Sequence, residues 1–157
     1  MIILKDPCQT PCESVSKDDL ERIKEILPHR DPFLFLTRII RVEEGKSAIA
    51  EYDVPYDHIF FKGHFPEEPI LPGVIILEMM AQTGALAVLC DPRRKGKVVY
   101  LAGIDAARLK KPVRPGDVLR AEVTVESVKM KIGRGIGRAF VGADEVASAK
   151  IIFGLPV

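Results

Sequence analysis

The sequence predicts an α+β domain in which an antiparallel sheet of about five or six strands wraps around one long central helix. Two observations predict it. Residues 70–90 are apolar except for Glu78, Gln82 and Thr83 among their interior positions, so a helix there has no solvent face and must be enclosed by other elements. The second half of the chain alternates instead. Between Val118 and Met130, Leu119, Ala121, Val123 and Val125 point one way and Arg120, Glu122, Thr124 and Glu126 the other. Strands of that kind have one wet face and pair antiparallel.

The elements follow in order. Residues 1–19, with Pro7, Pro11, Cys8 and Cys12, read as a lead-in, and residues 20–157 as a single domain. Ser16-Lys17-Asp18-Asp19 fits a capping box, and Leu20, Ile23 and Leu27 continue at helical spacing until Pro28 stops the helix. β-Branched and aromatic residues from Phe33 to Val42 predict a strand, Glu43-Glu44-Gly45-Lys46 a turn, and Ser47–Val54 its hairpin partner. A loop from Pro55 to Leu71 contains Pro66 and Pro69. Pro72 suits the first turn of the helix that runs from Val74 to about Leu89. Asp91–Lys97 is a basic loop; further strands are expected at Val98–Ile104, Val118–Met130, Ile136–Val141 and Val146–Phe153, the last two joined through residues 142–145.

Composition narrows the function. The chain has 157 residues, 23 basic against 22 acidic, a net charge of +1 and 47% apolar residues, which fits an ordinary globular domain. Nothing in that balance favours nucleic acid or an anionic membrane, and the basic groups lack interleaved aromatics. A carboxylate at the centre of the apolar segment argues against a membrane span. Three cysteines without a second pair at ligand spacing argue against a disulfide framework or a zinc site, and no signal-peptide core precedes Lys5. The expected location is therefore the reducing cytoplasm. A metal centre built from His29, His58 and His64 has no recognised spacing.

The chemistry concentrates in Phe61-Lys62-Gly63-His64-Phe65-Pro66, Pro69-Ile70-Leu71-Pro72-Gly73-Val74 and Glu78. His64 sits in a loop stiffened by two prolines. The helix start at Gly73-Val74 exposes unpaired N–H groups at the positive end of the helix dipole, a cradle for a developing oxyanion. Glu78 stands inside an apolar helix, where desolvation favours its protonated form. A base, an acid and an oxyanion site suit removal of a proton beside a thioester carbonyl with loss of a β-hydroxyl.

These residues also resemble a known family. Leu27-Pro28-His29-Arg30-Asp31-Pro32-Phe33-Leu34, Gly63-His64-Phe65-Pro66, Pro69–Val74, Glu78, Ala81-Gln82, Ala102-Gly103-Ile104-Asp105, Arg108 and Pro112–Asp117 look like the (3R)-hydroxyacyl-acyl-carrier-protein dehydratases of dissociated fatty-acid synthesis, in order, over about residues 20–155. The resemblance implies a hot-dog fold and a homodimer, commonly a trimer of dimers. It implies His64 as catalytic base and Glu78 as catalytic acid, contributed by opposite subunits, with the thioester carbonyl at Gly73 and Val74. Phe65, Pro72 and a gating Tyr100 would line the acyl tunnel. No metal or organic cofactor is implied, because the substrate carries its own phosphopantetheine. Glutamate at 78, where the isomerising branch typically has aspartate, points to the simple dehydratase.

Asp31, Thr37 and Glu67 depart from the family's usual aromatic, aspartate and glycine, which leaves room for a specialised acyl substrate. An acidic carrier needs a basic landing area despite the near-zero net charge. Candidates are Arg93, Arg94, Lys95 and Lys97 in one loop and Lys110, Lys111 and Arg114 in another, with Arg134 and Arg138 further on. Two other functions fit the same fold: a thioesterase whose carboxylate activates water, and a non-catalytic acyl-carrier-binding subunit.

Overall fold

The computed structural model describes residues 17–155. Ser16 of the expected capping box, Cys8 and Cys12 lie outside them. Six strands form one antiparallel sheet in the order β1-β2-β4-β5-β6-β3: β1 (Arg38–Glu43), β2 (Ser47–Asp53), β3 (Tyr100–Leu109), β4 (Val118–Lys129), β5 (Ile132–Val141) and β6 (Asp144–Gly154). Helix α1 (Lys17–Ile26) closes one end, and α2 (Gly73–Leu89) lies along the concave face. The core sits between α2 and the inward residues of β2, β4 and β5, among them Ala48, Ala50, Leu119, Ala121 and Ala139, all fully buried.

Several expectations change: β3 begins two residues later than Val98 and runs five past Ile104, β6 takes in residues 144–145 of the expected turn, and three further differences have a clear cause. Phe33–Leu36 are apolar, and Phe35 and Leu36 are buried, yet they lie outside the ladder. A side chain satisfies their backbone instead: the Phe35 N–H donates to Gln82 Oε1 at 2.9 Å, and Gln82 Nε2 donates to the Phe33 carbonyl at 3.0 Å. The strand therefore starts only at Arg38. Pro72 is not in the first turn of α2 but is its N-cap, and the helix begins at Gly73. β5 starts four residues before the expected Ile136, because its inward positions are Gly133, Gly135, Gly137 and Ala139, residues of low strand propensity that bring the sheet close to its neighbours.

Those glycines are required by contact. A Cβ at Gly137 would stand 2.8 Å from Met80 Sδ, and one at Gly135 would stand 2.8 Å from the Thr124 carbonyl oxygen. The second neighbour is backbone and cannot swing aside. Gly135→Ala is therefore expected to destabilise the fold by ~1–3 kcal/mol through overpacking. The stiffer unfolded chain returns at most about 1 kcal/mol. Thermal denaturation at fixed chain concentration measures the net loss.

The central helix is enclosed on most of its circumference but not all. Ile75, Ile76, Met79, Met80, Gln82, Thr83 and Ala85–Leu89 are buried, whereas Val74 is 69% exposed and Leu77, Glu78, Ala81 and Gly84 are only partly covered. The spacing of three to four residues makes these one stripe. No helix among the described residues is long and apolar enough to cross a membrane.

Candidate active site

His64 follows a single 3-10 turn (Ile59–Lys62), and its own backbone N–H donates to the Phe60 carbonyl at 2.8 Å. The Ile70 N–H donates to the His64 carbonyl at 3.0 Å, closing the loop on itself. The imidazole is held as well: Nδ1 lies 2.8 Å from the Ile70 carbonyl oxygen, and the Phe65 ring stacks on it with centroids 4.2 Å apart. A carbonyl accepts only, so in the neutral ring Nδ1 carries the proton and Nε2 presents a lone pair. That is the form a general base needs.

His64 and Gly73 line one hollow together with Ile70, Leu71, Ile76, Leu109 and Pro112. Pro72 gives the helix no side-chain cap, so the first N–H groups of α2, at Gly73 and Val74, have no partner from it. Gly73 also faces Leu109, whose Cδ1 would be 2.2 Å from a Cβ there. His64 and the start of α2 thus share one wall.

Glu78 opens on a different cavity, of about 230 Å³, lined mainly by apolar groups from α2, β4, β5, β6 and the Val98–Leu101 segment, and including His29, Gln82 and Tyr100. Its Oε1 accepts from Gln82 Nε2 at 3.0 Å and lies 3.7 Å from His29 Nε2. Within one chain, then, the two principal candidates face separate hollows. Tyr100 is 61% exposed at the rim of the Glu78 cavity, and Phe65 is half exposed beside His64.

His29 and Gln82 are the residues that reading the sequence undervalues here. Both appear in its motifs, but no spacing rule joins position 29 to position 78. Burial holds His29 below the usual imidazole range, with the Arg30 charge acting the same way and Glu78 opposing both. The three histidines have separate settings. His58 accepts the Phe60 N–H and stacks on the Phe60 ring. Among the described residues no group of three ligating side chains could hold a metal ion.

The candidate docking cations divide. Arg93 and Arg94 reach the buried Asp91 at 2.8 and 3.7 Å, Lys111 reaches Asp144 at 2.7 Å, Arg114 reaches Glu68 at 2.8 Å, and Lys110 pairs with Glu145. Lys95 and Lys97 are exposed and have no carboxylate partner among the described residues. Arg138 also pairs with Glu145.

Residues 27–150 match the FabA-like domain family. Among relatives, the chain is 48% identical over 134 residues to the 3-hydroxyacyl-[acyl-carrier-protein] dehydratase FabZ of Thermomicrobium roseum, covering 85% of this chain and 90% of the relative. It is 47% identical to the FabZ of Bacillus velezensis, covering 87% and 97%. Among solved structures, the dehydratase heterocomplex ApeI:P from Xenorhabdus doucetiae superposes with a TM-score of 0.73 at 21% identity, covering 86% of this chain and 91% of that one. Cj0977 from Campylobacter jejuni does so at 0.69 and 15%, covering 92% and 94%. These structural likenesses, at low identity, speak for the hot-dog fold. The chain belongs to the FabA-like family and, within it, to the FabZ-type dehydratases.

Proposed function

We propose that this chain is a hydro-lyase that removes water from (3R)-3-hydroxyacyl thioesters of acyl-carrier protein, giving the trans-2-enoyl thioester in cytoplasmic fatty-acid synthesis. Its working unit is a homodimer, assembled further as a trimer of dimers. The observation that carries the reading is His64 itself: Nδ1 is tied to the Ile70 carbonyl, and the ring lines the same hollow as Gly73.

The thioester oxygen sits at the N–H groups of Gly73 and Val74, which stabilise the negative charge that develops there. Nε2 of His64 takes the α-proton. The electron pair of that C–H bond forms the new double bond, and the β C–O bond breaks. Glu78 of the partner subunit gives its proton to the departing hydroxyl, which leaves as water. Once water and product have left, the proton on His64 passes through solvent to the Glu78 carboxylate, which restores the neutral base and the protonated acid. The only prosthetic group in the scheme is the phosphopantetheine that the substrate brings.

A subunit-spanning site is supported by the separation of the two hollows within one chain. It is also supported by the stripe of α2 at Val74, Leu77 and Ala81, a half-covered apolar surface that a second copy would bury. Phe65, Pro72 and Tyr100 would then line the acyl channel. The carrier's acidic surface would meet Lys95 and Lys97, with Arg93 and Arg94 behind them, and Lys110, Lys111 and Arg114 on the other rim. Purified protein is expected to hydrate a crotonyl thioester reversibly, followed as loss of enoyl absorbance. Thiol release without hydration would instead identify a thioesterase, and carrier binding without turnover a binding subunit.

A further inference from the structure

We propose that His29 and Gln82 are positioning residues for Glu78: both aim an N–H at its Oε1, so that Oε2 is the oxygen left to meet the substrate's hydroxyl. The inference rests on the dehydratase reading for its kinetic consequence, but its geometry stands apart from it.

Gln82 lies one helical turn beyond Glu78, on the same face of α2. Every polar atom of its amide is engaged. Oε1 accepts the Phe35 N–H at 2.9 Å, while Nε2 donates to the Phe33 carbonyl and to Glu78 Oε1, both at 3.0 Å. Turning the amide over would set its oxygen against two acceptors and its nitrogen against a donor. Gln82 is 1% exposed, so water cannot relieve such a mismatch. Its orientation is therefore fixed, and with it the donor that faces Glu78.

His29 approaches the same oxygen from the segment after α1. Its Nε2 is 3.7 Å from Oε1, just beyond hydrogen-bond length. Its Nδ1 is buried with no hydrogen-bond partner. A proton on Nδ1 would be a buried, unsatisfied donor, so the ring proton belongs on Nε2, pointing at the carboxyl. Burial disfavours the imidazolium, with Glu78 opposing it and Arg30 acting the same way as burial. Glu78 thus has two donors converging on Oε1. Among the described residues no group donates to Oε2.

The test has two arms. Nitrogen-15 NMR of histidine-labelled protein at neutral pH is expected to show His29 as the neutral tautomer protonated on Nε2, assigned by its loss in His29→Gln. A ring protonated on Nδ1, or an imidazolium, overturns the proposal whatever the enzyme's activity. In kinetics, His29→Gln puts an amide nitrogen where Nε2 stood, and His29→Asn puts one only where Nδ1 stood. With the crotonyl thioester, the Asn variant is expected to lose about tenfold or more in kcat with KM within about twofold of wild type, and the Gln variant to regain most of the loss. Equal losses in the two variants would overturn the positioning role. A wild-type protein that hydrates nothing would sink the dehydratase reading, while the NMR arm would still decide how Glu78 is held.

Discussion

Glu78→Gln and His64→Ala are each expected to lower hydration of a crotonyl thioester about 10³-fold, within the range that one general acid or base contributes. The fold should survive both. Gln at 78 keeps the size of Glu and an oxygen that can accept from Gln82 Nε2, so the buried amide stays satisfied while the transferable proton is gone. Ala at 64 removes a half-buried ring and its bond to the Ile70 carbonyl, a loss of about 1 kcal/mol that leaves in place the backbone bonds from residue 64 to the Phe60 carbonyl and from the Ile70 N–H to residue 64. Thermal unfolding and light scattering check the fold, and the enoyl absorbance assay reads the activity. Variants that stay folded and keep most of their activity would mean that neither group moves a proton in the reaction.

How much of this was legible in the sequence depends on whether a signal was local. Helix α2 could be read almost to the residue, because a seventeen-residue apolar run punctuated by Pro72 and Gly73 allows little else. The β1–β2 hairpin was open to β-branched content on either side of a Glu-Glu-Gly-Lys turn, and the inward set of β4 to a period of two. Phe33–Leu36 misled because strand propensity describes a side chain's fit and says nothing about who satisfies the backbone. Here that is Gln82, 47 residues beyond Phe35. The start of β5 was hidden for the opposite reason: three glycines suppress the local signal where close packing against Phe153, Thr124 and Met80 demands them.

The site divides in the same way. His64, Gly73 and Glu78 stand in one short stretch, so their choice as candidates could be read from their order. The neighbour of Glu78 could not, since His29 reaches it only through the packing of the segment after α1. The separation of His64 and Glu78 into two hollows likewise has no sequence signature; it follows from α2 turning its residues outward in succession, with Gly73 on one hollow and Glu78 on the other. Asp31 and Glu67 are exposed. Thr37 accepts the Asp53 N–H at 3.1 Å and donates to the Glu51 carbonyl at 3.2 Å, tying the residue before β1 to β2.

One experiment weighs the shared site directly: His64→Ala and Glu78→Gln chains, each inactive alone, are mixed in equal amounts and their subunits exchanged, with exchange verified by native mass spectrometry. Random pairing makes half of the dimers mixed, and each mixed dimer holds one site with both groups intact, so activity should return to about a quarter of wild type. If verified mixed dimers stay as inactive as their parents, the acid and base do not meet across the interface, and the account of catalysis given above is wrong.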